Sequence, residues 1–220
     1  VCENMARKPA VLVLGNQLLL SSDPQYPQSQ RFRVRQHTVD AVSEIVARLA
    51  PPSDDWMRIV PVGIKSALDV FAGYVMLDAW IANVDRHHEN WAALWDGDRL
   101  RLAPTFDHGA ALARNLLDSQ REEHLTTKDT NRTVSAFAGR GRSAFYGDSK
   151  DTRPLELRQA FRAFAQYAPI AAQLWVDRLR AVNQNDIRGI LERVPTARMS
   201  EIGKRFTLEL LLTNQRRLLE

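Results

Sequence analysis

The spacing of apolar positions changes several times along the chain, and each change marks an element. At 10–20, AVLVLGNQLLL holds two short apolar runs divided by Gly15-Asn16, a pair suited to a turn. It predicts a small hairpin, or a strand leading into a connection. The next stretch, SSDPQYPQSQRFRVRQ, is polar, contains two prolines and has no period, so it reads as an exposed linker. From His37 the spacing turns helical: Val39, Val42, Ile45, Val46 and Leu49 share one face until Pro51-Pro52, which cannot continue a helix. The most apolar run is 66–84, where Leu68, Phe71, Val75 and Leu77 help to cover most of a helix circumference, predicting a helix inside the core.

After the polar stretch ANVDRHHENW (82–91), WAALW and RLRLA read as two strands joined by Asp96-Gly97-Asp98. Trp91 and Trp95, two pleat periods apart, are expected on one strand face, packed in the core. Residues 114–150 lack periodicity, hold Gly139, Gly141 and Gly147, and read as a long loop. From 153 to the end the pattern is helical, broken at Pro169, at NQND and at Pro195. The fold class expected is mainly α (α+β): a helical domain over 37–220 carrying a small β-hairpin, preceded by an N-terminal hairpin and linker over 1–36.

Composition narrows the function classes. A chain of 220 residues, 45% hydrophobic, can build one sizeable core, so disorder is not expected. The longest apolar run is interrupted by Asp69 and Asp78, short of the ~18 to 20 residues that cross a bilayer, and no signal segment or membrane partner is expected. The single Cys2 excludes an intrachain disulfide and a cysteine-rich zinc site, and points to a cytoplasmic protein. A net charge of +4 reads as solubility rather than as a nucleic-acid footprint. The chain opens on Val1, which suggests a processed form or a fragment.

The chemistry concentrates in ANVDRHHENW. Asp85 and Asn90 stand five residues apart, and a β-hairpin returns the chain to its starting point, so Asp107 comes back beside them. Three oxygen-bearing side chains suit Mg²⁺, which keeps several waters and is held by one or two carboxylates together with substrate phosphates. Phosphoryl transfer needs such an ion to neutralise phosphate charge and a carboxylate to orient the attacking hydroxyl and take its proton. Protein kinases use the same order of parts: an Asp, an Asn five residues later, a short hairpin, then an Asp before Gly. Here Asp107-His108-Gly109 carries His in the middle place, and Phe106 precedes the Asp. Neighbouring His87 and His88 point different ways in a loop and lack a third ligand at a clear spacing, so histidine ligation of a metal is not expected. His88 and Glu89 are expected to be exposed, and His108 to fill a packing position. In 131–142, NRTVSAFAGRGR is a solvated basic loop placed where a kinase substrate loop would lie, with Thr133 and Ser135 as hydroxyls and Arg132, Arg140 and Arg142 as cations.

The loop N-x-DRHxxN (83–90), followed by P-x-x-D (104–107) and the TFDHG form, resembles the HipA-like serine/threonine kinases, whose loop reads Asp-Arg-His. A softer likeness extends over about 10–115. The resemblance implies a protein-kinase-like C-terminal lobe over 37–220, with 1–36 as a remnant of the connection between lobes. It implies Asp85 as catalytic base, Asn90 and Asp107 as Mg²⁺ ligands beside the ATP phosphates, and Arg86 and His87 as loop-ordering or phosphate-facing residues. It also implies a bacterial toxin–antitoxin setting, with a hydroxyl-bearing phosphoacceptor and an antitoxin as partners.

A nucleotide-gripping lobe needs a glycine-rich loop and a strand lysine. Before Asp85 there are only Gly15, Gly63 and Gly73, and only Lys8 and Lys65. The N-terminal lobe is therefore largely absent, cut away or carried by another polypeptide, and the isolated chain is expected to be inactive. Two further readings stay open: a pseudokinase-like module that binds a partner, and a divalent-metal phosphohydrolase using the same acids.

Overall fold

The computed structural model describes Met5, Ala6 and residues 9–220; Cys2 and Lys8 lie outside the described residues. Strand β1 (Val11–Leu14) runs into α1 (Gly15–Ser22), and after an irregular stretch come α2 (Val39–Ala47) and the single turn α3 (Asp54–Met57). Helix α4 (Ala67–Ile81) leads to β2 (Ala92–Trp95) and β3 (Leu100–Leu102). Then follow α5 (Asp118–Thr126), α6 (Val134–Arg140), α7 (Leu157–Tyr167), α8 (Pro169–Arg180), α9 (Gln184–Glu192) and α10 (Glu201–Leu219). The fold is mainly helical with one small antiparallel sheet in the order β1-β2-β3.

Helix α4 is the axis of the core and packs against α2, α7, α8 and α10. Its start is fixed by a reciprocal cap: Asp69 N–H donates to Ser66 Oγ at 3.0 Å, and Ser66 N–H donates to Asp69 Oδ2 at 2.8 Å. Around Phe71 the core is aromatic, with Phe164 at 5.4 Å and Trp91 at 5.6 Å between ring centroids, the latter edge-on. Gly73 lets Trp175 lie across the helix, because a Cβ there would fall 2.4 Å from the indole.

Several expectations need correction. The two runs at 10–20 do not form a hairpin with each other: β1 pairs with β2, Val11 opposite Trp95 and Leu14 opposite Ala92, and the second run is helical. Gly15 decides this, since its N–H donates to Trp91 O and Asn16 N–H donates to His88 O, both at 2.8 Å. A Cβ on Gly15 would lie 2.3 Å from the Trp91 ring, so only glycine allows this approach. The linker expected after α1 is exposed along most of its length, but it buries Tyr26 and Val34. Trp95 is 40% exposed, unlike Trp91, because it sits at the hairpin tip beyond the core. Residues 114–150 are not one long loop. They hold α5, a 3-10 turn at Thr130–Arg132 and α6, with Thr133 capping α6 through Ala136 N–H. No side chain of α5 is buried, which is why no period announces it. Among the described residues no helix is long and apolar enough to cross a membrane.

Candidate active site

The polar loop begins where α4 ends. Ala82 takes a left-handed conformation (φ 54°), and Asn83 N–H closes the helix by donating to Asp78 O at 2.8 Å. Asp78, on the last turn of a mostly apolar helix, is buried and faces the loop rather than solvent. Arg86, 1% exposed, meets it with both edges of the guanidinium: Nε donates to Oδ2 and a terminal nitrogen to Oδ1, each at 2.7 Å. Asn83 Nδ2 donates to the same Asp78 Oδ1 at 2.8 Å. A bidentate pair with a supporting amide is the geometry that makes a buried charge pair tolerable.

The rest of Arg86 ties two segments together. Its other terminal nitrogen donates to Asn90 O at 2.8 Å and, more weakly, to Phe106 O at 3.4 Å. The nitrogen bound to Asp78 also donates to His108 Nε2 at 3.2 Å. One side chain therefore holds the backbone at Asn90 and the residues on either side of Asp107. Because His108 Nε2 accepts from Arg86, its ring is neutral with the proton on Nδ1, and Thr105 Oγ1 lies 2.9 Å from the same nitrogen. Burial and the Arg86 charge both hold the His108 pKa below the ordinary histidine value. His108 is thus a polar link between segments, not a substitute packing residue.

Asn90 is buried, and its Nδ2 donates to Asp85 O at 2.6 Å and points toward Asp85 Oδ2 at 3.5 Å. With the amide nitrogen committed, Asn90 Oδ1 is the atom left to act as a ligand. Asp85 is partly exposed, and Asp107 is exposed in a left-handed conformation (φ 51°) that non-glycine residues seldom adopt. Leu112 and Ala113 share that conformation just downstream, and Leu112 N–H returns to Ile81 O at 2.8 Å, bringing the segment after Asp107 back to the end of α4. Strain of this kind gathers where a surrounding structure over-determines the backbone.

His87 lies among the acids. Its Nδ1 faces Glu89 N–H at 3.2 Å, and its Nε2 lies 3.5 Å from Arg31 Nε and 3.7 Å from Asp85 Oδ1. Burial lowers its pKa, against the opposing pull of Asp85, Glu89 and Asp107. His88 is also buried, at 1% exposure, contrary to the expectation from sequence. Its Nδ1 meets Tyr26 OH at 2.8 Å, and its Nε2 has no hydrogen-bond partner among the described residues. Glu89 is half-buried, 3.7 Å from Arg31. Beside His88, His37 donates from Nδ1 to Ala144 O at 2.9 Å and accepts Trp91 Nε1–H at 3.2 Å, and burial pushes its pKa down to about 3. Asp78 and the Tyr26–His88–His37 layer escaped the sequence reading; the only signal for Asp78 was an acid interrupting an otherwise apolar helix.

The arginines of the basic stretch 131–142 are all engaged, two of them with acids outside it. Arg132 pairs with Glu123 and Arg142 reaches Glu156 at 3.6 Å, while Arg140 donates to Asn131 O at 2.5 Å. Thr133 is occupied as a helix cap. Among the described residues no three His, Cys, Asp or Glu side chains cluster as a ready metal cage. Two carboxylates and one amide oxygen are hard donors, and fit an ion that keeps its waters and shares substrate phosphates, as Mg²⁺ does, better than a transition metal.

No protein-family model and no curated protein matches the chain. Among solved structures, the crystal structure of a Helicobacter pylori proinflammatory kinase, CtkA, is similar with a TM-score of 0.66 and 17% identity, covering 99% of this chain and 74% of that one. The fold is therefore kinase-like.

Proposed function

We propose that this chain is the C-terminal catalytic lobe of a HipA-like serine/threonine kinase that moves the γ-phosphoryl group of Mg-ATP to a hydroxyl. The observation that carries this reading is the single buried Arg86, which ties the Asp85–Asn90 loop to the residues on either side of Asp107 on a kinase-like fold. Asp85 orients the acceptor hydroxyl and takes its proton as the new O–P bond forms and the bond between the γ-phosphorus and the ADP oxygen breaks. Asn90 Oδ1 and the Asp107 carboxylate would hold Mg²⁺, which neutralises phosphate charge when bound. Arg86, fully engaged inside the protein, orders the loop, and His87 positions Asp85. A second lobe, in the same or another polypeptide, grips the nucleotide.

Two substitutions test this. Calorimetry of the chain with Mg-ATP should show weak binding that needs Mg²⁺, survives Asp85→Asn and is lost with Asp107→Asn. In protein that includes a nucleotide-binding lobe, Asp85→Asn should lower phosphoryl transfer by ~10²- to 10⁴-fold, the usual cost of losing a general base. Parental transfer by the Asp85 variant would refute the mechanism, and metal-dependent phosphate-ester hydrolysis by this chain alone would favour a phosphohydrolase.

A further inference from the structure

A cleft of about 610 Å³ opens on one side of Asp85; Asp85 and His87 line it, whereas Asn90 and Asp107 do not. Four arginines surround it: Arg31, Arg33 and Arg35 from the stretch before α2, and Arg153 from the stretch before α7. Among the described residues Asp85 is the only acid on its wall. Arg31 is partly neutralised by Glu89 at 3.7 Å and rests over the Phe32 ring at 5.1 Å. The guanidinium groups of Arg33, Arg35 and Arg153 make no ion pair or hydrogen bond among the described residues.

The wall is built, not frayed. Gln30 Nε2 donates to the carbonyls of Phe32 and Arg33 at 3.0 and 3.3 Å, and Val34 is buried between the exposed arginines. Arg33 is held in a left-handed conformation (φ 56°), an uncommon state for a side chain of that size. Unpaired like charges gathered at one concave site repel one another in the empty protein, and an anion relieves that repulsion while accepting charge-assisted hydrogen bonds.

We propose that this cleft is the acceptor side of the site, and that it recognises a protein segment in which the acceptor hydroxyl is flanked by anionic groups, carboxylate or phosphoryl. This rests on the reading of Asp85 as the base: the hydroxyl must reach Asp85 from the face away from Asn90 and Asp107, and that face is the arginine-lined one. A protein segment fits better than a nucleic acid. Stacking would need a free aromatic face, but Phe32 has Arg31 over its ring and His87 perpendicular to it, and Tyr146 is buried.

Fluorescence polarisation of the full chain with three labelled seryl peptides tests this, the serine being flanked by alanine, by Asp and Glu, or by phosphoserine. At low salt one of the two anionic peptides should bind at least about tenfold more tightly than the neutral one, and the advantage should shrink as salt screens it. The tighter of the two identifies carboxylate or phosphoryl as the group read. The combined Arg33→Ala, Arg35→Ala and Arg153→Ala variant, which alters only exposed side chains, should reduce binding to the neutral level, and the matching Lys variant should retain part of it. Anionic peptides that bind no better than the neutral one, or a triple variant that binds as the parent does, would overturn the proposal. So would a single-stranded oligonucleotide of equal charge that binds more tightly. Mg-ATP titration in parallel separates the two readings. Asp107-dependent nucleotide binding without peptide preference defeats only the acceptor proposal. Peptide preference without Asp107-dependent nucleotide binding defeats the kinase reading and leaves an anion-recognising cleft.

Discussion

Removing the Arg86 side chain should cost more than any other single change in the loop. Arg86→Met keeps most of the volume but leaves Asp78 buried with only Asn83 as a partner, and releases the carbonyls of Asn90 and Phe106. Breaking a buried pair from one side costs ~3–5 kcal/mol, because the remaining charge is uncompensated. For a domain of this size that corresponds to a fall in Tm of roughly 6–20 °C. Arg86→Lys keeps the charge but cannot make the two parallel bonds to Asp78, so a loss of ~2–4 kcal/mol is expected. The decisive measurement is a double-mutant cycle by urea denaturation. Asp78→Asn and Arg86→Met together remove both charges, and should destabilise by at least ~2 kcal/mol less than the sum of the single changes. Additive losses, or an Arg86→Met protein within about 1 kcal/mol of the parent, would refute the view that this pair organises the loop.

Other outcomes follow from the same geometry. Neither Asp85→Asn nor Asp107→Asn empties a packed position, so thermal stability without ligand should stay within about 1 kcal/mol of the parent, while nucleotide titration separates the two. Acid should weaken the fold through its buried histidines. His37, His87, His88 and His108 all have pKa values below the ordinary one, burial being the first cause in each. The unfolded chain therefore binds more protons, and stability should fall as pH drops below about 6.5, by up to ~1.4 kcal/mol per pH unit for each histidine that stays neutral; for His37 this continues toward about pH 3. Urea midpoints that do not change between pH 7 and pH 5 would contradict this. Gly15→Ala should destabilise by ~1–3 kcal/mol, since its Cβ would meet the Trp91 ring at 2.3 Å and His88 O at 2.7 Å; an unchanged midpoint would mean that β1 is not anchored there.

Which parts of the fold could be read from the sequence depended on how each element is stabilised. Helices α2, α4 and α7 to α10 bury a face, so their apolar spacing announces them, and Pro169 opens α8 where the pattern breaks. The β2–β3 hairpin is specified locally by its turn, where Gly97 takes φ 99°. What could not be read depends on distant partners. β1 finds β2 some eighty residues away in sequence, and α1 follows because Gly15 can touch Trp91, a contact that no local pattern encodes. Helix α5 has no fully buried residue and meets α10 and α6 only through half-buried side chains such as His124 and Leu125, so its sequence looks like that of a loop.

The same distinction explains the density of ionisable groups in ANVDRHHENW. Spacing is enough to place Asn90 against Asp85, because five residues of tight loop leave few other arrangements, and their contact is direct at 2.6 Å. Spacing cannot say which of the neighbouring groups turn inward. Arg86 does so because Asp78 waits on the last turn of α4, and His88 because Tyr26 lies behind it, both partners that look unremarkable in sequence. The loop therefore divides its polar side chains between two tasks. Arg86, His88 and Asn83 spend their hydrogen bonds inside the protein, fixing a backbone that has left the helix through a left-handed residue. That frees Asp85 to stay at the surface beside the arginine-lined cleft, with Asn90 O and the backbone flanking Asp107 held to it by one side chain. If the inward set serves the outward one, variants of Asp78 too mild to unfold the protein should weaken Mg-ATP binding without touching it. Asp78→Asn that binds nucleotide as the parent does, despite a measurable loss of stability, would show that the two sets act independently.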